Sequence, residues 1–189
     1  IPWPRAIAII AMNRNLSDCA AMACLPAVAV VSTALPRSMS LAFAKELYLG
    51  LKEAAGAFDC DIVGGDTGSW DGKLALSVTI LGASAGITPI TRRGAKAGDG
   101  IYVSGALGGS TLGRHMTFIP RVHLARELAA GGATAMIDLS DGLARDLRHI
   151  CDESGVGAIL EAGAIPIHAD AIELSTRDQN SPFDHAIND

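Results

Sequence analysis

Short apolar runs in the first half of the chain have the length and composition of β-strands. Runs of this kind bounded by turn residues, or with strict alternation of apolar and polar residues, are typical of strands. The segments that fit are Ala6–Met12, Ala27–Leu35, Asp61–Val63 and Leu74–Leu81. The last alternates most clearly, so we expect a strand there with one apolar face.

Polar residues that can cap helices stand between these predicted strands. Ser17 or Asp18 is placed to cap a short helix over Cys19–Cys24. Ser40 precedes a longer segment whose apolar positions follow helical spacing over residues 41–58. The pattern therefore predicts a short helix and a long amphipathic helix in this part of the chain.

The pattern changes after the last of these strands, where glycine, proline and basic residues replace the alternation. We place a domain boundary there, which divides the chain into residues 1–86 and 87–189. Further strands are expected at 101–104, 135–137 and 157–160, and further helices after Pro120 and after Gly142. Beyond Thr176 no periodic pattern is visible. Strands that alternate with helices predict an α/β (α+β) fold with two domains.

Composition and charge exclude several classes of protein. Hydrophobic residues make up 49% of the chain, which argues against disorder. The formal net charge is −5, so the basic surface of a general nucleic-acid-binding protein is not expected. The uncharged stretch Cys19–Pro36 is interrupted by Pro26, which favours a short helix and a strand over a membrane span. We therefore expect neither a nucleic acid nor a membrane as a partner.

The cysteines and the first residue bear on the origin of the chain. The four cysteines form no C-x-x-C pair, and buried reduced thiols of a cytoplasmic protein are the simplest interpretation. No secretory signal is visible, and the sequence begins with Ile1 rather than methionine. This beginning indicates a fragment of a longer protein.

Aspartates occur at three turns that follow or precede predicted strands. The first turn ends at Asp18, the second is residues 64–67 with Asp66, and the third carries Asp138 and Asp141. Sites in α/β layers are usually built where strands end. Mg²⁺ prefers oxygen ligands, commonly one or two carboxylates together with substrate phosphates. The joint occurrence of these turns therefore indicates a site for Mg²⁺ and a phosphate-bearing ligand.

Each of these features also has a structural alternative when it is taken alone. Asp18, and Ser140 or Asp141, can simply cap helices, and residues 64–67 can be a hairpin turn. In the functional interpretation, the Ser140 hydroxyl with the following helix N-terminus and the guanidinium of Arg92 are candidates to bind a phosphate, and a solvated loop is the alternative for Arg92. The glycine-rich segment Gly105–Gly109 lacks the lysine and hydroxyl residue of a P-loop, so a ligand loop is the weaker interpretation there.

The motifs, in their order and spacing, closely resemble those of the thiamine-monophosphate kinase family. The segments that carry the likeness are NLSDCAAMA, VGGDT, TRRGAKAGDGIYVSGALG, PRV and AMIDLSDGLARDL. They fall between about Ala6 and Ile167, which is most of the chain. The wider superfamily includes aminoimidazole ribonucleotide synthetase, selenophosphate synthetase and a hydrogenase maturation protein.

The resemblance implies a fold, a reaction and a set of site residues. The fold is that of the aminoimidazole ribonucleotide synthetases, in which residues 1–86 bind ATP and Mg²⁺ and form a homodimer through their sheet, and residues 87–189 form a second α/β domain. The reaction is direct transfer of the γ-phosphoryl group of ATP to thiamine monophosphate, with ATP and several Mg²⁺ ions between the domains and no general base. The residues that match metal ligands are Asp18, Asp66, Asp138 and Asp141. The residues that match nucleotide contacts are Gly65, Asp66, Arg92 and Ser140.

Two other functions stay open at this point. A selenophosphate synthetase also uses ATP, and the cysteine or selenocysteine that distinguishes it belongs to a segment ahead of this sequence. The chain is alternatively a dimeric module that keeps the fold without turnover. The family's substrate-contacting motifs lie ahead of Ala6 and beyond Asp189, so no contact with thiamine monophosphate is assigned. The acceptor that yields ADP would separate these functions.

Overall fold

The computed structural model describes residues 3–189, which form two compact units. The first unit extends to Pro89 and also contains Ile119–Glu127, and the second comprises Ile90–Phe118 and Leu128–Asp189. Residues 1 and 2, with which the predicted domain 1–86 begins, lie outside the described residues. The chain changes unit within the segment whose composition had suggested a boundary, but the return of residues 119–127 to the first unit was not foreseen.

The first unit packs two helices on one face of a three-stranded sheet. The helices are α1 (Trp3–Ala21) and α2 (Leu41–Gly56), and the strands are β1 (Leu25–Pro36), β2 (Asp61–Trp70) and β3 (Ala75–Ala83). The strand order is β2-β1-β3, with β1 parallel to β2 and antiparallel to β3. The central strand β1 therefore has a partner on both sides.

The core of this unit lies between the helices and the sheet. Met12 and Leu16 of α1 are fully buried against Val31 of β1 and the apolar side of α2. Leu74, Leu76, Val78 and Ile80 pack on the same core, which confirms the alternation seen in the sequence. The strands over Ala27–Leu35 and Leu74–Leu81 and the helix over residues 41–58 are confirmed with small changes at their ends. Ser40 caps α2 as expected, since its side chain accepts a hydrogen bond from the Phe43 amide.

The predictions for the first 24 residues are wrong. A strand at Ala6–Met12 and a short helix over Cys19–Cys24 were expected, but α1 is one continuous helix that includes Ser17 and Asp18. Its buried residues Ala8, Met12 and Leu16 follow helical spacing across both predicted elements. A run that is apolar on every side hides this period when it is considered alone. Among the described residues, no helix is long and apolar enough to cross a membrane.

The second unit is built mainly of helices and irregular segments. Its helices are α4 (Leu143–Ser154), α5 (Ala169–Ser175) and α6 (Pro182–Asn188), and α3 (Val122–Ala130) begins in the first unit. Short 3-10 helices occur at Ser110–Leu112, Arg114–Met116 and Ala162–Ala164. The helices expected after Pro120 and Gly142 are confirmed. Helix α6 begins with a capping box between Ser181 and Asp184, so the expectation of no pattern beyond Thr176 is wrong.

The strands expected at 101–104, 135–137 and 157–160 are not formed within the part of the chain that the structure describes. These segments run without regular pairing, and the unit contains one isolated bridge, between Leu107 and Ile167. The side chains of Tyr102 and Ile159 are 90% and 91% exposed. A strand requires a partner for its backbone groups, which a local pattern of side chains does not supply.

Arg126 on α3 joins the end of α1 to the segment that follows β3. Its guanidinium donates hydrogen bonds to the carbonyl oxygens of Ala23 at 2.9 Å, Ser84 at 3.0 Å and Ala85 at 2.8 Å. Ala23 and Ala85 have left-handed backbones, with φ of 55° and 45°. Arg126 thus stabilises two turns whose conformation is unfavourable for alanine.

Candidate nucleotide and metal site

Asp66 lies on β2 and not in a turn. The structure corrects the expectation of a turn at residues 64–67, because β2 continues through them to Trp70. The register places Asp66 beside the exposed Ser32 of β1, and Asp66 is itself exposed. The carboxylate is therefore carried by a regular, paired strand, which holds it more firmly than a loop would.

Gly65 allows β2 to approach β1 immediately before Asp66. The pairing shifts between Ala29 and Val30, where Val63 is the extra residue of a bulge. After the bulge Gly65 has φ of 147°, and a Cβ atom built on it would lie 1.9 Å from the carbonyl oxygen of Val31. Only glycine fits this position without a displacement of one of the strands. Strand pairing therefore explains the need for glycine at position 65 no less well than the binding of a ligand would.

Asp18 lies near the C-terminal end of α1 and is exposed. It does not cap a helix, because the helix began at Trp3. Helix α1 packs mainly on α2 and β3, whereas β2, which carries Asp66, packs on α2. The two aspartates therefore belong to different elements of the first unit. Within residues 3–189 no group of three or more His, Cys, Asp or Glu side chains is arranged to hold a metal ion.

In the second unit, the turn of residues 138–142 leads into α4 and is fixed by a residue that the sequence reasoning missed. Asp146, in the first turn of α4, is 2% exposed. Its Oδ2 atom accepts hydrogen bonds from the amides of Ser140 at 2.8 Å and Asp141 at 3.0 Å. A signal was present: this aspartate lies three residues after Leu143 and one before Leu147, close to the apolar positions of the helix.

The structure also decides how the N-terminus of α4 is capped. Its N-cap residue is Gly142, with no side-chain cap, so capping by Ser140 or Asp141 is wrong. Ser140 and Asp141 are exposed, and Asp141 forms an ion pair with Arg145, with Oδ2 and Nη1 3.5 Å apart. Asp138 is half-buried. The turn thus presents carboxylate and hydroxyl oxygens, which are the donors that Mg²⁺ prefers.

Arg92 lies in a segment that is attached to the far end of α4. Ser154 Oγ donates to the carbonyl oxygen of Arg92 at 2.8 Å and accepts from the amides of Gly94 and Ala95. The carbonyl oxygen of Thr91 accepts a hydrogen bond from Met136, two residues before Asp138. Arg92 is exposed. The hydrogen bonds with Ser154 and Met136 fix the backbone on either side of it.

The glycines of the Gly105–Gly109 segment are accounted for by packing. Gly108 and Gly109 have φ of 87° and 74°. A Cβ on Gly108 would lie 2.7 Å from the amide nitrogen of Ala186, and one on Gly109 would lie 2.3 Å from the carbonyl carbon of Asp170. Helices α5 and α6 therefore occupy the space next to these glycines, which supports the structural interpretation over that of a ligand loop.

The cysteines are free thiols, three of them buried: Cys19, Cys24 and Cys60. Burial raises the pKa of Cys19 to about 11, and the neighbouring Cys24, Cys60 and Asp18 add to the effect. Burial also raises the pKa of Cys60, with a further contribution from Asp61. Both groups are therefore protonated at neutral pH and are poor nucleophiles or metal ligands. The prediction of buried reduced thiols is confirmed for these three.

The comparisons with known proteins show a similarity to one family over the first unit. Residues 2–84 match the family model "AIR synthase related protein, N-terminal domain". This part of the chain is similar to the N-terminal domain of that family. The match covers the sheet, both helices and the motifs around Asp18 and Asp66, so the resemblance noted from the sequence is confirmed.

Curated relatives are similar to this chain over nearly its whole length. The thiamine-monophosphate kinase of Rhodopirellula baltica is 43% identical over 180 residues, which are 95% of this chain and 56% of that protein. The thiamine-monophosphate kinase of Mycobacterium tuberculosis strain H37Rv is 37% identical over 185 residues, 89% of this chain and 55% of that protein. The chain thus spans about half the length of the curated relatives it matches.

Solved structures share the fold. The structure described as "AaThiL complexed with AMPPCP and TMP" superposes with a TM-score of 0.89 at 26% identity, over 98% of this chain and 65% of that one. The thiamine-monophosphate kinase of Stenotrophomonas maltophilia gives 0.85 at 33% identity, over 98% and 65%. The hydrogenase maturation protein HypE of E. coli gives 0.79 at 18% identity, over 96% and 62%. The expected α/β fold of the AIR synthase type is therefore confirmed.

Proposed function

We propose that the protein to which this chain belongs is a thiamine-monophosphate kinase. The observation that carries the proposal is the 43% identity to the Rhodopirellula baltica kinase over 95% of the chain, a span that includes all of the aspartate motifs. The similarity to the structure described as bound to AMPPCP and TMP supports ATP and thiamine monophosphate as the substrates. The cytoplasmic location inferred from the cysteines belongs to this proposal as well.

The proposed reaction places few chemical demands on the side chains. The bond between the γ-phosphorus of ATP and its bridging oxygen breaks, and a bond from that phosphorus to an oxygen of the acceptor phosphate forms. Because the acceptor is already anionic, no proton has to be removed first. The protein contributes positioning and neutralisation of charge on the phosphate oxygens.

We propose Asp18, Asp66, Asp138 and Asp141 as ligands of Mg²⁺, and Gly65, Asp66, Arg92 and Ser140 as contacts of ATP. The donor set fits the ion, because the aspartates offer hard oxygen atoms and Asp18, Asp66 and Asp141 are exposed. When bound, Mg²⁺ would neutralise phosphate charge. In this proposal residues 1–86 bind ATP and Mg²⁺ and form the dimer contact, and residues 87–189 supply the turn before α4.

The reaction is tested with the intact protein, ATP, Mg²⁺ and thiamine monophosphate. We expect thiamine diphosphate and ADP to form in equal amounts, and no product when EDTA removes the metal. Unphosphorylated thiamine and selenide serve as control acceptors. ADP formation with selenide instead would favour a selenophosphate synthetase. If the folded protein formed no ADP with any of these acceptors, the proposal would be refuted.

We also propose that the chain forms a homodimer through the face of the sheet that the helices leave uncovered. Apolar side chains are exposed there: Val30 of β1 is 42% exposed and Leu81 of β3 is 63% exposed. Val63, the bulged residue of β2, is 62% exposed. A second copy that packs on this face would remove these side chains from water, which favours association.

The variant Leu81→Asp should weaken the dimer by roughly 100-fold or more, because burial of an unpaired carboxylate costs several kcal/mol. Sedimentation equilibrium of the intact protein measures the change. Leu41→Asp is the matched control, since Leu41 is 71% exposed at the start of α2, on the other layer of the unit. A monomeric wild type, or dissociation by Leu41→Asp alone, would disprove the proposed interface.

A further inference from the structure

Asp146 is a buried carboxylate directly beneath the proposed metal-binding turn. It is one of two charged or polar residues described as buried in the chain, the other being His185. Its Oδ2 atom accepts hydrogen bonds from the amides of Ser140 and Asp141, at 2.8 and 3.0 Å. A carboxylate is buried only at a high cost unless such bonds satisfy it. The two amides are the groups that offset this cost.

These hydrogen bonds change what the turn before α4 can bind. Backbone amides that are free in a turn can bind anions such as phosphate. Here the amides of Ser140 and Asp141 already donate to Asp146 and cannot donate to a phosphate at the same time. The negative charge of Asp146 also offsets the positive end of the helix dipole. The turn is therefore electrostatically suited to a cation, with the carboxylate oxygen atoms of Asp138 and Asp141 as its donors.

We propose that Asp146 is a positioning residue for the metal ligands of this turn. It fixes the backbone of residues 140–141, so that the side chains of Asp138 and Asp141 bind divalent cations and the turn contacts the nucleotide through those cations and the Ser140 hydroxyl, not through the amides of Ser140 and Asp141. The proposal rests on the proposed kinase function and adds a residue that neither the motif likeness nor the sequence pattern had assigned. Partners that orient metal ligands typically change metal affinity by about 10- to 100-fold when they are removed.

The test compares Asp146→Ala with Asp146→Asn in the intact protein. Calorimetry measures the binding of a non-hydrolysable ATP analogue over a range of Mg²⁺ concentrations. Asp146→Ala should raise the half-saturating Mg²⁺ concentration about tenfold or more, because both amides lose their acceptor. Asp146→Asn should stay within about threefold of the wild type, since the carboxamide oxygen can still accept from both amides. The KM for thiamine monophosphate should change by less than about twofold in both variants, because a positioning role acts on the cation site alone.

Asp152→Asn is the matched control. Asp152 lies on the same helix, is exposed and pairs with Arg148 one turn away. This variant removes the same charge without an effect on the turn, so its Mg²⁺ dependence should equal that of the wild type. An equal shift in Asp152→Asn and Asp146→Ala would show a general electrostatic effect and would overturn the proposal.

The remaining outcomes separate this inference from the proposed function. If the wild type binds Mg²⁺ with ATP and turns over, but Asp146→Ala does so with unchanged Mg²⁺ dependence, the positioning role is wrong and the kinase function stands. If the wild type shows no Mg²⁺-dependent binding of ATP, both proposals fail.

Should Asp146→Ala not fold, Asp146→Leu takes its place, because leucine fills the buried position but offers no acceptor. Faster hydrogen exchange of the Ser140 and Asp141 amides than in the wild type, together with a higher half-saturating Mg²⁺ concentration, supports the proposal. Equal exchange, or faster exchange with an unchanged Mg²⁺ dependence, overturns it.

Discussion

Asp66→Asn should lower turnover of the intact protein on the order of 100-fold or more and should weaken binding of ATP in the presence of Mg²⁺. The substitution keeps the size of the side chain and one oxygen atom, but it removes the charge that a divalent cation requires. Asp66 is exposed on β2, so the free energy of unfolding should change by less than about 0.5 kcal/mol. Steady-state kinetics and calorimetry at fixed Mg²⁺ measure the two effects.

Asp71→Asn is the control for this variant. Asp71 immediately follows β2, is 82% exposed and pairs with Arg37 across 2.8 Å. The variant Asp71→Asn removes the same charge five residues away in the chain, at a position outside every motif. Turnover should stay close to that of the wild type. Unchanged activity and Mg²⁺ requirement in Asp66→Asn would remove Asp66 from the site, and with it the main argument for a metal in the first unit.

The sequence predicted best those elements whose pattern is determined within the element itself. Helix α2 has a polar cap at Ser40 and an apolar side with helical spacing, and β3 alternates from Ala75 to Leu81. Helix α4 likewise follows a turn and ends at Gly155, which adopts the left-handed conformation at φ of 67°. In these cases the local signal and the packing agree, which is the condition under which a pattern is informative.

The elements that failed depend on contacts distant in the chain. Residues 6–12 are apolar throughout, so their period became visible only when their buried partners in β1 and α2 were known. Gly64 and Gly65 have the composition of a turn, yet the bulge at Val63 and the close approach to Val31 make them part of a strand. Segments 101–104, 135–137 and 157–160 have strand-like side chains but lack pairing in the described part of the chain.

The candidate site shows the same division between local and distant information. The acidic residues could be predicted from the sequence, because aspartates beside glycine and serine have a recognisable composition and the motif likeness suggested their roles. Asp146 could not be assigned in this way, since its proposed role depends on burial and on hydrogen bonds from Ser140 and Asp141. The sequence thus predicted the oxygen donors, whereas the structure shows what fixes the backbone of the turn before α4.

Gly65→Ala should destabilise the first unit by about 2 kcal/mol or more and should displace Asp66. The new methyl group would meet the Val31 backbone within 1.9 Å, and alanine is strained at φ of 147°. Separation of β1 from β2 at this point would also move the carboxylate that follows. Urea unfolding of the intact protein measures the loss, and ATP binding in the presence of Mg²⁺ measures the displacement.

Gly68→Ala is the matched control, because it makes the same change on the same strand. A Cβ on Gly68 would meet no atom within 4 Å, so its stability should stay within about 0.5 kcal/mol of the wild type. If both variants were equally stable, the bulge at Val63 would be able to absorb the methyl group, and strand approach would not explain the glycine. If Gly65→Ala were unstable yet bound ATP with normal Mg²⁺ dependence, the position of Asp66 would not depend on this contact, and its proposed role would rest on the motif alone.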